Sequence, residues 1–198
     1  MMKQALLVID VQNDYFAGGK MVLEHPDLAL EKINDLETFF LKEKLPVIYI
    51  QHLKRQKNAN FFEIGTAGAA LHDKLLCSKN SVIIEKQSPN SFFETELLAT
   101  LKKLNVEQLV ICGMMTAMCI DSTTRAAKEY GFSPILIEDG TATKSLENDG
   151  RVIPARLVQD SFIASLKNFA TVQSAFVFLK ASAHVSLKMS PILSKNKS

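Results

Sequence analysis

Short apolar runs alternate along this chain with longer stretches whose apolar residues recur every three or four positions. The runs at 5–10, 46–51, 81–85, 107–112 and 134–138 are rich in Val, Ile and Leu. Each reads as a strand buried on both faces, the pattern of a parallel sheet. The stretches 27–44, 93–104, 116–130 and 149–168 read as helices. In the first, Leu28, Leu30, Ile33, Leu36, Phe39 and Phe40 keep helical spacing, and Pro26 stands near its start. Residues 171–173 begin a further strand. The segment 52–79 is long and irregular, with a short helix expected near 69–76. A loop of that length inside a compact domain is usually functional. Alternating strands and helices predict a three-layer α/β/α domain, with a Rossmann-like parallel sheet of five or six strands and helices on both faces. There is no internal repeat, low-complexity segment or linker. One domain is expected over 1–180, and a basic, mobile tail over 181–198, where Pro191 breaks the pattern.

Three of the strand-like runs end in reactive side chains. The first ends at Asp10, followed by Val11, Gln12, Asn13, Asp14 and Tyr15. The third leads into Glu85 and Lys86. The fourth leads through Gly113, Met114, Met115, Thr116, Ala117 and Met118 to Cys119, at the start of a helix. Ligands bind at the carboxyl ends of strands in open α/β sheets. Parallel strands bring those ends to one edge, so an acid, an amine and a thiol can meet there. A helix N-terminus favours a thiolate, the reactive form of cysteine. A neighbouring carboxylate can accept the thiol proton, and a lysine between them can keep the carboxylate ionised and stabilise the thiolate. Each residue also has a plainer role open to it: Cys119 as a small buried hydrophobe, Asp10 as a turn cap, Lys86 as a solvated charge.

Taken together, these segments resemble the isochorismatase-like cysteine hydrolase family. Leu7 to Tyr15 is similar to its N-terminal signature. Glu85-Lys86 followed by Ser91-Phe92 is similar to its lysine segment. Gly113 to Cys119 with Thr123, Thr124, Arg125 and Ala127 is similar to its nucleophile motif. Ile137 to Ala142 is similar to the strand end that follows, and Gly65 to Gly68 to a glycine-containing loop. The resemblance spans about residues 4 to 180. It implies a catalytic triad of Asp10, Lys86 and Cys119. It implies an oxyanion hole from the main-chain N–H groups of Met115 and Cys119, and a cis peptide between Met114 and Met115. It also implies a homo-oligomer.

Composition narrows the partners. With 198 residues there is room for one domain with a substantial core. A net charge of +2 is too small for a nucleic-acid surface, and the excess sits with Lys188, Lys195 and Lys197 near the end. No apolar run is long enough to span a bilayer, and no leader pattern is present, so no membrane is expected. Cys77, Cys112 and Cys119 are too few for a disulfide framework and fit a reducing, cytoplasmic setting. The expected partner is a small-molecule substrate.

No metal or other cofactor is expected. Some members of the resembled family, the nicotinamidases, hold a divalent ion through an Asp-x-His pair after the second strand, with a further histidine. Here that place reads Gln51-His52, without the aspartate, and His72 is the remote partner left. Gln12, Tyr15 and Phe62 are candidates for contact with the substrate; Phe61-Phe62 lies where the family often places an aromatic lid. Within the resembled family, which also contains vinyl-ether hydrolases that work without this cysteine, Cys119 implies hydrolysis of an amide-type C–N bond through a thioester, with ureido, carbamoyl or other isochorismatase-like hydrolysis as the alternative. Two non-enzymatic readings compete. A phospho-receiver module needs an aspartate after its third strand, where Glu85 and Lys86 stand. A silent binding protein on the same scaffold has no need of three filled triad positions.

Overall fold

The computed structural model describes residues 2–189, with side chains through 183. In chain order its elements are β1 (Gln4–Ile9), α1 (Pro26–Lys42), β2 (Val47–His52), β3 (Val82–Lys86), α2 (Leu97–Lys103), β4 (Gln108–Met114), α3 (Asp121–Glu129), β5 (Ser133–Ala142), β6 (Leu146–Asn148), β7 (Arg151–Ile153), α4 (Ala155–Leu166), β8 (Thr171–Gln173) and α5 (Ala175–Met189). Six strands form one parallel sheet in the order β3-β2-β1-β4-β5-β8. The chain winds outward from β1 through β2 to β3, then returns to β4 beside β1 and winds the other way. The switch point therefore falls between β1 and β4, and an open α/β sheet binds its ligands in the crevice there.

The two-residue period of β1 divides the core. Leu6 and Val8 point to one face and pack with Leu30, Ile33 and Phe40 of α1 and Phe178 of α5. Ala5, Leu7 and Ile9 point to the other and pack with Leu97 of α2, Ala127 of α3 and Leu166 of α4. Each such buried leucine or isoleucine contributes about 1.5–3 kcal/mol. Because both faces are covered, the central strands read as unbroken apolar runs rather than alternating ones.

Several elements differ from the sequence expectation. The helix expected over 93–104 begins only at Leu97. Glu94 has a φ of +53°, outside helical space, and the Thr95 hydroxyl accepts from the Leu97 N–H at 3.2 Å. Over 69–76 there is no helix; one short turn at Ala67–Ala69 stands in its place. The stretch from 149 opens with a hairpin, β6 paired to β7, before α4. Its turn, Asp149-Gly150, has φ values of +50° and +74°, the backbone an Asp-Gly hairpin turn requires. The tail expected from residue 181 instead continues α5 as far as Met189, anchored near its start by Phe178 against Phe39 and Phe40. The rest of that expectation, 190–198, lies outside the described residues. Among the described residues no helix is long and apolar enough to cross a membrane.

Candidate active site

Asp10 is the first residue past β1, with a φ of +51°. A short polar side chain tolerates that left-handed turn. Its N–H donates to Ile50 of β2 at 3.0 Å, which fixes the carboxylate at the strand end. Lys86 ends β3, two strands away, and β2 lies between. Two strand spacings are about 9.5 Å, so only a long side chain can cover the distance. The Lys86 ammonium lies 2.8 Å from Asp10 Oδ2 and donates to the carbonyls of Ser88 at 3.0 Å and Pro89 at 2.9 Å. Three acceptors thus surround three ammonium protons. The Asp10 contact is an ion pair at hydrogen-bonding distance, and its charge holds the ammonium.

Cys119 comes from the other side of the switch point. Gly113 has a φ of +122°, and a Cβ there would lie 2.0 Å from the Ile9 carbonyl oxygen, so only glycine lets β4 pass β1 so closely. The peptide between Met114 and Met115 is cis. Thr116–Ile120 then form one wide turn, with the Ile120 N–H directed to the Met115 carbonyl at 3.3 Å. The helix expected from 116 is regular only from Asp121. Thr123 ties this segment to the lysine segment: the Ser91 N–H donates to Thr123 Oγ1 at 3.0 Å, and that hydroxyl donates to Ser91 Oγ at 2.9 Å.

His52 ends β2 between the acid and the amine, and was not among the expected site residues. Its Nδ1 lies 3.9 Å from Cys119 Sγ and 3.8 Å from Asp10 Oδ2. The signal was positional: the register sets His52 beside Lys86, so its side chain shares the same strand-end edge. The four residues are deeply buried, with exposures of 0% for Asp10, 2% for Lys86, 3% for Cys119 and 7% for His52.

Burial governs the charge states. It pushes the Cys119 thiol well above its ordinary range, and the Asp10 charge adds to this, while Lys86 only partly offsets it. The resting sulfur is a thiol, so the thiolate expected from the helix start must form during reaction. Burial alone would depress the Lys86 ammonium, but the charges of Asp10 and Cys119 outweigh it and hold the group above its usual range. Burial lowers His52, with Lys86 and Lys54 acting in the same sense and Asp10 opposing, so the imidazole is neutral at neutral pH.

The residues expected to meet the substrate fall into two groups. The Gln12 amide is committed to the protein: it donates to the carbonyls of His52 at 2.9 Å and Ala69 at 2.7 Å, and accepts from the His52 N–H at 2.8 Å. It clamps the strand ends and the long loop together. Tyr15 and Phe62 meet edge to face with ring centroids 4.7 Å apart, and the Phe62 ring lies 5.9 Å from His52, closing the site from the loop side. Asp14 holds this cover in place, accepting from the Phe62 N–H at 2.6 Å and the Lys20 N–H at 3.1 Å. Any Cβ on Gly68 would meet that carboxylate at 2.2 Å.

Donor atoms of Asp10, His52 and Cys119 lie within 4.8 Å of one another, a spacing that invites a metal ion. The Lys86 ammonium competes with an ion for this set. That ammonium already stands 2.8 Å from the carboxylate and supplies its positive charge. His72 is turned away, its ring 4.1 Å from Phe16. Prolonged dialysis against a chelator is therefore expected to leave the hydrolysis rate unchanged. Loss of activity restored by added zinc or manganese would refute this.

A parallel sheet carrying a thiol, an acid and an amine at its switch point has the layout of an α/β cysteine hydrolase. The chain belongs to the isochorismatase family of hydrolases: a family model for the isochorismatase domain matches residues 4–174. It is similar to YddQ, an uncharacterized isochorismatase family protein of Bacillus subtilis strain 168, with 41% identity over 180 residues, 90% of this chain and 100% of YddQ. The structure of an isochorismatase from Pseudomonas putida KT2440 superposes with a TM-score of 0.83 at 31% identity, covering 88% of this chain and 89% of that one. Nicotinamidase 3 of Arabidopsis thaliana is 26% identical over 151 residues, 70% of this chain and 73% of its own.

Proposed function

We propose that the chain hydrolyses an amide-type C–N bond of a small molecule through a thioester on Cys119, with Asp10, Lys86 and Cys119 as its catalytic triad. The observation that carries this is the buried Asp10–Lys86 pair at 2.8 Å beside a protonated thiol. Asp10 is the base that removes the thiol proton as sulfur attacks the carbonyl carbon. The main-chain N–H groups of Met115 and Cys119 stabilise the oxyanion. The proton passes to the leaving nitrogen, and water, deprotonated by the same base, releases the acid. Tyr15 and Phe62 bound the substrate on the loop side. The burial of the whole set supports a small substrate, and a relative named nicotinamidase supports amide chemistry. The three free cysteines support a cytoplasmic location, and exposed Leu28, Val152 and Phe176 support a homo-oligomer.

The test is a panel of small primary amides, ureido acids and carbamoyl amino acids, read by ammonia release. At least one arm is expected to turn over, and acid quenching should leave an acyl adduct on the Cys119 peptide by mass spectrometry. Turnover with no adduct at Cys119 under any quench, and no burst of the first product, would overturn the thioester reading.

A further inference from the structure

We propose that His52 is a fourth catalytic residue, an imidazole whose Nδ1 lone pair shares with Asp10 the task of accepting the Cys119 proton. This rests on the thioester reading above and adds a residue to it. Cys119 Sγ lies 3.9 Å from His52 Nδ1, within reach of a sulfur hydrogen bond, and Asp10 interacts with the same thiol from the other side. The thiol thus has two acceptors within reach, the imidazole and the carboxylate.

The surroundings set the imidazole for this task. The ring also interacts with the Gln87 main chain, and with Nδ1 turned to the thiol and the acid, Nε2 is the nitrogen left to donate there. That tautomer leaves Nδ1 unprotonated. The Gln12 amide grips the His52 main chain at both its N–H and its carbonyl, which holds the ring at the end of β2. The charged and titratable groups that face it are Asp10 from β1, Lys86 from β3, Lys54 from the loop and Cys119 from the wide turn. With Lys86 beside it and water excluded, the ring is neutral at rest and can accept a proton.

The step balances as follows. The S–C bond forms as the S–H bond breaks, and the proton moves to the Nδ1–Asp10 pair, held first on Nδ1 or on the carboxylate. With the proton on Nδ1 the imidazolium is 3.8 Å from Asp10 Oδ2, which stabilises it. As the C–N bond breaks, the proton leaves on the amine, either directly from Nδ1 or through Asp10. In the second half, water gives a proton to the same pair, hydroxide adds to the thioester, and the C–S bond breaks to return the thiol.

The experiment follows alkylation of Cys119 by iodoacetamide, read by mass spectrometry across pH, in the full chain and in His52→Gln. Glutamine keeps a donor for Gln87 and loses the base. Wild-type labelling is expected to fall at acid pH through one inflection below the ordinary histidine range. In His52→Gln that inflection should vanish and the neutral-pH rate drop at least about tenfold, with turnover of any confirmed substrate down about a hundredfold. Superimposable profiles would overturn the role of His52 while leaving the nucleophile standing. No label at Cys119 in either protein would overturn both readings. Nitrogen-15 spectra of the histidine-labelled wild type give a check free of any folding defect. They should show one histidine locked as the Nε2–H tautomer, absent from the His52→Gln spectrum; an Nδ1–H tautomer for that ring refutes the proposal.

Discussion

Cys119→Ala is expected to abolish turnover, by about 10⁴-fold or more, the scale on which removal of a nucleophile acts. The substitution deletes one buried sulfur and no charge. The Asp10–Lys86 pair keeps its 2.8 Å contact and the ammonium keeps both carbonyl acceptors, so the cost in stability should be about 1 kcal/mol, near that of one buried methylene. Activity and folding are therefore separable in one variant, read by ammonia release and by thermal unfolding. The other two cysteines serve as controls. Cys112 is fully buried within β4 and burial pushes its thiol well above the ordinary range. Cys77 lies beside Ser78, far along the long loop from the switch point. Alanine at either should leave turnover within about twofold, because surrounding contacts and not chemistry are lost. Wild-type rates in Cys119→Ala would end the covalent reading.

Much of this site was legible in the chain before its fold was known, for a physical reason. In a parallel sheet every strand runs the same way, so residues one step past apolar runs share an edge. Asp10, Lys86 and Cys119 each stand there, and the sheet brings them together although they are far apart in sequence. His52 was weighed only as a metal ligand, because its strand was expected to end one residue earlier, at Gln51; the extra residue of β2 carries the imidazole into the site. Gln12 was expected to contact the substrate. Its amide is instead taken up by partners about 40 and 57 positions away, which no local pattern reveals. The same limit hid the loop's cover, where Asp14 and Gly68 fit together only in three dimensions. The hairpin at Asp149-Gly150 was legible in its turn dipeptide, but the helical periodicity that follows masked it. The depth of the thiol's burial, which reverses its expected charge state, depends on the layers above and below and has no signature in the motif itself.

Lys86→Met is expected to slow turnover at least about a hundredfold, the scale of losing one charge-stabilising group in a water-excluded site. Methionine keeps the length and removes the charge. Three things change together. The buried Asp10 carboxylate loses its counter-charge at 2.8 Å. The Ser88 and Pro89 carbonyls lose their donor. Cys119 loses the one influence that draws its thiol back toward ionisation, so the sulfur becomes a poorer nucleophile at every pH. Leaving a buried charge unpaired also destabilises, by about 3–5 kcal/mol, so the melting temperature should fall and the assay belongs well below it. Lys86→Arg separates charge from geometry. It restores a cation, but a planar guanidinium does not fit the position where Asp10 Oδ2 and the two carbonyls close around a single nitrogen. It is expected to recover part of the stability and little of the rate. The decisive reading is iodoacetamide labelling of Cys119 in the folded variants. A pH profile in Lys86→Met that matches wild type would remove Lys86 from the site and leave its ion pair with a structural role only.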